Sequence, residues 1–109
     1  CTKWAGKNVY NTAWLIQHGC CLSSEYEHRY GKQHSCAATL FHAKKVFHRR
    51  TGKAIVCYSM AEEFARAMPD VYKFDKTIST YDAYKQYIAS KPWVKTNYLR
   101  KPDRKPDWI

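Results

Sequence analysis

The sequence predicts a mostly α-helical protein, a small single-domain bundle of three or more helices with an extended basic C-terminal tail. Three observations carry that expectation. Residues 9–30 contain no Pro and only Gly19, and their large apolar residues recur at three- and four-residue steps. Two further stretches, near residues 34–50 and 79–91, show helical spacing between start and stop residues. The one strand-like run, residues 54–58, has no partner of similar character, so it reads as an extended connector.

Taken in order, the first helix is expected to run from Val9 to Tyr30 and to stop at Gly31, which tolerates the left-handed conformation of a C-terminal cap. Gly19 in its interior costs up to ~1 kcal/mol, and it marks a kink or a close helix crossing. The second helix is expected from His34 or Ser35 to Arg50, with Ser35 as N-cap. Ala37, Leu40, Phe41, the stem of Lys44 and Phe47 form its inward stripe, and Thr51-Gly52 ends it. The short intervening turn makes these two helices antiparallel neighbours. Ser59 with Glu62 forms a capping box for a short helical piece that stops before Met68-Pro69. Ser79 or Thr80 opens a third good helix through Tyr81, Tyr84, Tyr87 and Ile88, closed by Lys91-Pro92. Residues 93–109, with Pro102 and Pro106 and three large aromatics, read as an extended tail lying back on the body of one domain spanning 1–109.

Composition narrows the function classes. Hydrophobic residues make up 45% and aromatics 16%, too much apolar surface for a disordered chain. No apolar run is long enough to span a bilayer, and Cys1-Thr2-Lys3-Trp4 lacks the order of a secretory signal, so no membrane partner is expected. A chain opening on Cys1 is expected to be part of a longer protein in preference to a processed product. Five Cys without regular spacing point to free thiols in a reducing compartment, used mainly as small apolar packers.

Nineteen Lys+Arg against nine Asp+Glu give 109 residues a net charge of +10. Residues 1–60 hold nine of the basic residues and only two acids, Glu25 and Glu27. Such an excess repels itself in a compact chain, and a polyanionic partner is the usual reason to keep it. Nucleic acid comes first, with an acidic protein partner second. Aromatic and basic residues interleave at Tyr72-Lys73-Phe74, at Tyr84-Lys85-Gln86-Tyr87 and in the tail, a pattern compatible with base stacking beside phosphate contacts.

The densest polar stretch is Glu25-Tyr26-Glu27-His28-Arg29-Tyr30-Gly31-Lys32-Gln33-His34. On a helix, Glu25 and Arg29 face each other one turn apart, and Arg29, Lys32 and His34 cluster where phosphate oxygens could be gripped. If the protein is catalytic, Glu25 is the expected carboxylate and His28 the spare acid–base group, whose unperturbed pKa lies near neutrality. Lys44, Lys45, Arg49 and Arg50 supply further phosphate contacts at the end of the second helix. The five His and five Cys form no closed zinc spacing, and no metal or cofactor is expected; an assembly of His28, His34 and Cys36 in space is the remaining alternative. Nucleophile elbows, phosphate-binding Gly-rich loops and dinucleotide fingerprints are absent. The amine of Cys1 is a nucleophile only if Cys1 is a mature terminus.

The 25–34 motif resembles one shared by a family of small uncharacterised phage and bacterial proteins. So do Trp14-Leu15 before it and Ala67-Met68-Pro69-Asp70-Val71-Tyr72-Lys73 after it. The tyrosines at 81, 84 and 87 and a Trp close to the end add to the likeness, which spans most of the chain. The resemblance implies a further N-terminal segment with an Asp-Lys-His-Val-Val-Lys type motif. It also implies a loose link to DNA metabolism that includes a pyrimidine-dimer glycosylase-like label. DNA binding, with base excision or modification as the chemistry, is therefore the leading expectation, located in the cytoplasm (the host's, if phage-encoded). A non-catalytic phage protein docking on an acidic host partner and a small nucleotide-processing enzyme are the alternatives.

Overall fold

A computed structural model of the protein describes residues 2–53 and 63–109. The mostly helical class holds: 64% of the described residues are helical, and no strand occurs among them. The chain divides into two compact units, residues 1–62 and 63–109. The expected connector at 54–58 and the capping pair Ser59 and Glu62 lie outside the described residues.

In the first unit a single turn of helix, α1 (Thr2–Ala5), precedes the long α2 (Val9–Tyr30) and α3 (Ala37–Thr51). The Asn8 side chain caps α2 by accepting the Asn11 N–H at 2.9 Å, satisfying one of the orphan donors of a helix start. Asn11 itself is fully buried. Its amide nitrogen donates to the Trp4 carbonyl at 2.9 Å, and the Thr12 hydroxyl donates to Ala5 O at 2.6 Å. These bonds tie α1 onto α2 and answer the polar groups that burial would otherwise penalise. Trp4 meets Trp14 edge-on at 5.7 Å, and His18 stacks on Trp14 at 4.7 Å.

At the other end of α2, Gly31 adopts φ 69° and donates its N–H to Glu27 O at 2.8 Å; Gly52 ends α3 in the same way at φ 68°. Both glycine stops follow the expectation. The N-cap of α3 departs from it. Cys36 occupies that position without a side-chain cap, and the ring of His34 takes over by accepting the Cys36 N–H at Nδ1, 3.0 Å away. The helix starts one residue later than a Ser35 cap requires, and the His34 ring bonds the backbone N–H of the N-cap residue Cys36.

Helices α2 and α3 pack antiparallel. Phe47, late in α3, is buried with Ala13, against Val9 and Ile16 early in α2, while Gly19 further along α2 faces Leu40. A Cβ on Gly19 would lie 2.5 Å from Leu40 Cδ2, so the glycine marks a close helix crossing, one of its two expected roles. The inward side of α3 is Ala37, Leu40, Ala43, Val46 and Phe47. Phe41 and Lys44, expected on that stripe, are exposed. With Leu40 against Gly19 and Phe47 against Ala13, the inward line of α3 runs through Ala43, and Phe41, about 100° round from Leu40, turns to solvent. Cys20, Cys21 and Cys36 are free thiols. Cys20 is half-buried and Cys21 exposed, because neighbouring helix positions point about 100° apart, and Cys36, just before α3, is exposed as well.

The second unit is organised around Arg66. Its Nε donates to the Thr80 hydroxyl at 3.3 Å, Nη1 to the carbonyls of Tyr72 (3.0 Å) and Asp75, and Nη2 to Ile78 O at 2.6 Å. The Thr80 hydroxyl in turn donates to the Glu63 carboxylate. One planar guanidinium thus gathers the chain between a short helix, α4 (Asp70–Lys73), and α5 (Thr80–Ala89). Within this loop, the hydroxyl and N–H of Thr77 both donate to Asp75, and with Arg66 nearby they hold its carboxyl below the usual range.

The expected short helix does not continue through residues 63–67, which carry no regular structure. Their backbone bonds elsewhere: Tyr84 Oη donates to Ala65 O at 2.7 Å and accepts the Ala67 N–H at 3.1 Å. Ser79 caps α5 as expected, accepting the Asp82 N–H. Thr80 and Ala83 are its buried residues; Tyr84 and Tyr87 are half-buried, and Tyr81 is exposed with its ring edge-on to Phe64. The tail is not extended throughout. Residues Val94–Tyr98 and Pro102–Arg104 form 3₁₀ turns, and Val94 is buried. The Thr96 hydroxyl bonds Trp93 O at 2.6 Å, and Pro102 pre-sets φ at the start of the second turn.

Two stability measurements check this packing. Gly19→Ala should leave unfolding free energy within about 1 kcal/mol of the parent, since gained helix propensity offsets displacement of one Leu40 methyl. Gly19→Leu should cost about 1–3 kcal/mol by prising the helices apart, and a Leu40→Ala background should relieve much of that loss in denaturant titrations. Arg66→Met should destabilise the second unit by roughly 2–4 kcal/mol, because several carbonyls lose a charged donor at once. Arg66→Lys should recover less than half, since an ammonium cannot span a fork of acceptors. Unchanged amide exchange across residues 72–80 in Arg66→Met would contradict this role.

Candidate nucleic-acid interface

The residues expected to form the site fall into two groups on the α2/α3 hairpin. Glu25, His28 and Arg29 lie in the last turns of α2, and Lys32 and His34 lie in the connection to α3. Lys44, Lys45, Arg49 and Arg50 lie in the second half of α3, at the opposite end of the antiparallel pair. The axial rise from Ala37 to Arg49 is about 18 Å. The structure therefore does not assemble all nine residues into one pocket.

In the first group, Glu25 and Arg29 are engaged with each other. Arg29 Nε donates to Glu25 Oε1 at 2.9 Å, with the two side chains 19% and 27% exposed respectively. Glu25 is thus a carboxylate holding a guanidinium, and Arg29 meets any phosphate with its Nε already committed. His28 is half-buried beside them. The His34 ring packs edge-on against Tyr26 at 4.8 Å while its Nδ1 caps α3, so its first task is structural. Tyr26 also packs on Tyr30 at 4.7 Å, which stiffens this end of the hairpin. Lys32 is exposed. Among the described residues no three His, Cys, Asp or Glu side chains gather where they could hold one metal ion.

The second group is different. Helix α3 contains four Lys/Arg, two His and no acidic residue. Among the described residues no acidic side chain pairs with Lys44, Lys45, Arg49 or Arg50. Lys44, Lys45, His48 and Arg49 together with Phe41 line a shallow open depression on the outer face of α3. Phe41 is 61% exposed, and Lys45 Nζ lies 4.8 Å from its ring centroid, a cation–π distance. His48 is steadied by a contact of 3.3 Å between its Nδ1 and Lys53 O.

Arg50 parts from the other three cations. It lines an open, mainly apolar concavity beside the α2/α3 contact, with Val9, Ile16, Ala43, Val46 and Phe47. The expectation gathered Lys44, Lys45, Arg49 and Arg50 at the end of the helix; three of them share the depression, and Phe41 and His48 as their companions were not foreseen. The signal that could have found them is the absence of acids along α3, which makes its outer face the natural place for an unpaired aromatic among cations.

No helix among the described residues is long and apolar enough to cross a membrane. Compared with known protein families, with curated proteins and with solved structures, the chain matches none.

A double-mutant cycle tests the assignment of Glu25 and Arg29 to each other. Combining Glu25→Gln with Arg29→Ala should give a coupling energy of about 0.3–1 kcal/mol, the range for i,i+4 and partly exposed pairs. Zero coupling in thermal or denaturant unfolding would release both side chains for other work.

Proposed function

We propose that the protein associates with nucleic acid, DNA in the first place, through the outer face of α3, and acts in phage-type DNA metabolism in the cytoplasm. The observation that carries this reading is a helix face whose cations have no acidic partner on their own element. A solvated structural helix gains from interleaved charges, because opposite charges one turn apart stabilise it and like charges destabilise it by similar amounts. Lys45 and Arg49 stand in the unfavourable i,i+4 relation. The helix dipole offsets part of that repulsion, since cations at a C-terminal end gain roughly 0.3–1 kcal/mol each at low ionic strength. A polyanion offsets the remainder and adds counterion release. The net charge of +10 and the motif resemblance around residues 25–34 support the same reading.

The proposal is one of binding. Base excision by Glu25 and His28 is a separate reading on which it does not rest; there the Arg29 contact would keep the Glu25 carboxylate ionised. Fluorescence anisotropy with labelled DNA provides the test. Affinity should fall linearly on logarithmic axes as salt rises, and each cation removed from Lys44, Lys45 and Arg49 should reduce the slope by about 0.7–0.9. Undetectable binding at low salt, or a triple alanine variant with the parent's slope, overturns the proposal. Capture of an acidic protein from nuclease-treated lysate, with no DNA binding, would move the site to the competing class.

A further inference from the structure

The second observation about α3 concerns its aromatic centre. Phe41 is one of the more exposed large apolar residues, and it sits among Lys44, Lys45, His48 and Arg49. A single exposed Phe is ordinary on a protein surface. What distinguishes this one is its company. Every residue sharing its depression is basic, and all lie within two and a half turns of it, about 12 Å along the axis.

We propose that this face binds single-stranded DNA, with an unpaired base stacked on the Phe41 ring while Lys44, Lys45 and Arg49 hold the flanking phosphates. The inference rests on the nucleic-acid reading above and specifies the substrate within it. A duplex offers phosphates and base edges, and its base faces are hidden in the stack. Phe41 has no donor or acceptor with which to read an edge, so a duplex leaves the ring unused beyond incidental apolar contact. A single strand presents a π-face at each nucleotide, and such faces take an aromatic platform without regard to sequence. Lys45 Nζ lies over the ring, 4.8 Å from its centroid, so a stacking base takes the ammonium's place there and the displaced Lys45 is left within reach of that nucleotide's phosphate. The chemistry therefore predicts preference for unpaired DNA with little sequence preference.

The experiment compares a labelled oligothymidylate with a duplex of equal length at matched salt, using the full chain. The single strand should bind at least about tenfold more tightly. Phe41→Ala should weaken single-strand binding by about tenfold, leave the salt slope unchanged and spare duplex binding, with Phe41→Tyr restoring the parent affinity. Because Phe41 is exposed, both variants should keep the parent's melting temperature, which is measured alongside. If Phe41→Ala is silent, or weakens both DNAs equally while the lysine and arginine variants still act, stacking is overturned and nucleic-acid association stands. Tighter duplex binding, or equal competition by an oligoglutamate of matched charge, also overturns stacking. If neither DNA binds, both proposals fall together.

Discussion

Helix α3 has two faces, and the crossing with α2 decides which of them meets solvent. At Gly19 the backbone of α2 comes near enough to Leu40 that a methyl group on the glycine would collide with it. That approach, with Phe47 seated against Val9, Ala13 and Ile16, fixes the rotation of α3 about its axis. Once Leu40, Ala43 and Phe47 point inward, Lys45 and Arg49 have to point outward and Phe41 to the flank, since residues on a helix keep their angular relation, while Lys44 reaches solvent from the edge of the inward stripe. The exposed cationic face is a geometric consequence of an apolar contact made on the other side of the same helix. Burial of Phe47 alone contributes on the order of 1.5–3 kcal/mol, well above the few tenths of a kcal/mol that like charges on the outer face oppose to it.

The second unit reaches order by another route. Few of its described apolar side chains are fully buried, Ala83 and Val94 among them, so area burial leaves much of its loop structure undetermined. Arg66 supplies the missing constraint. Carbonyls at 72, 75 and 78 cannot pair in a helix or sheet in this segment, and a guanidinium can answer them at once because its donors form a rigid fork. Tyr84 does the same for the backbone of Ala65 and Ala67. Both side chains satisfy polar groups of an irregular backbone, and at Arg66 those groups are part-buried, where leaving them unpaired is costly.

These two mechanisms explain which features could be read from the sequence. The span of α2, the glycine stops at 31 and 52 and the Ser79 cap depend on local backbone chemistry, and all were legible. The close crossing at Gly19 was legible as one of two options. The inward stripe of α3 was misplaced by part of a turn, because Phe41 and Leu40 compete on hydrophobicity and only the partner helix decides between them. Arg66 gave no signal of its own; a lone cation in Phe64-Ala65-Arg66-Ala67 reads as surface until the carbonyls around it are known. The His34 ring sits against Tyr26, eight residues back, and bonds the Cys36 N–H at the start of α3, contacts that no local capping rule spans. Of the candidate site, the cations of α3 were visible and their aromatic centre was not.

The distribution of charge then carries a functional consequence. The stretch from residue 25 to 34 is the most motif-like in the sequence, yet the carboxylate and guanidinium at its centre are committed to each other. Glu25 neutralises Arg29, and His34 spends a ring nitrogen on the α3 start. A site that must grip a polyanion needs cations whose charge is not already compensated, since a guanidinium in an ion pair gives a phosphate little new Coulomb energy. Helix α3 meets that requirement because it has no acids of its own and because it packs on α2 through its other face. Density of polar residues marks where a chain interacts with itself as readily as where it meets a ligand. Uncompensated charge on a rigid element is the more discriminating criterion, and it selects the outer face of α3.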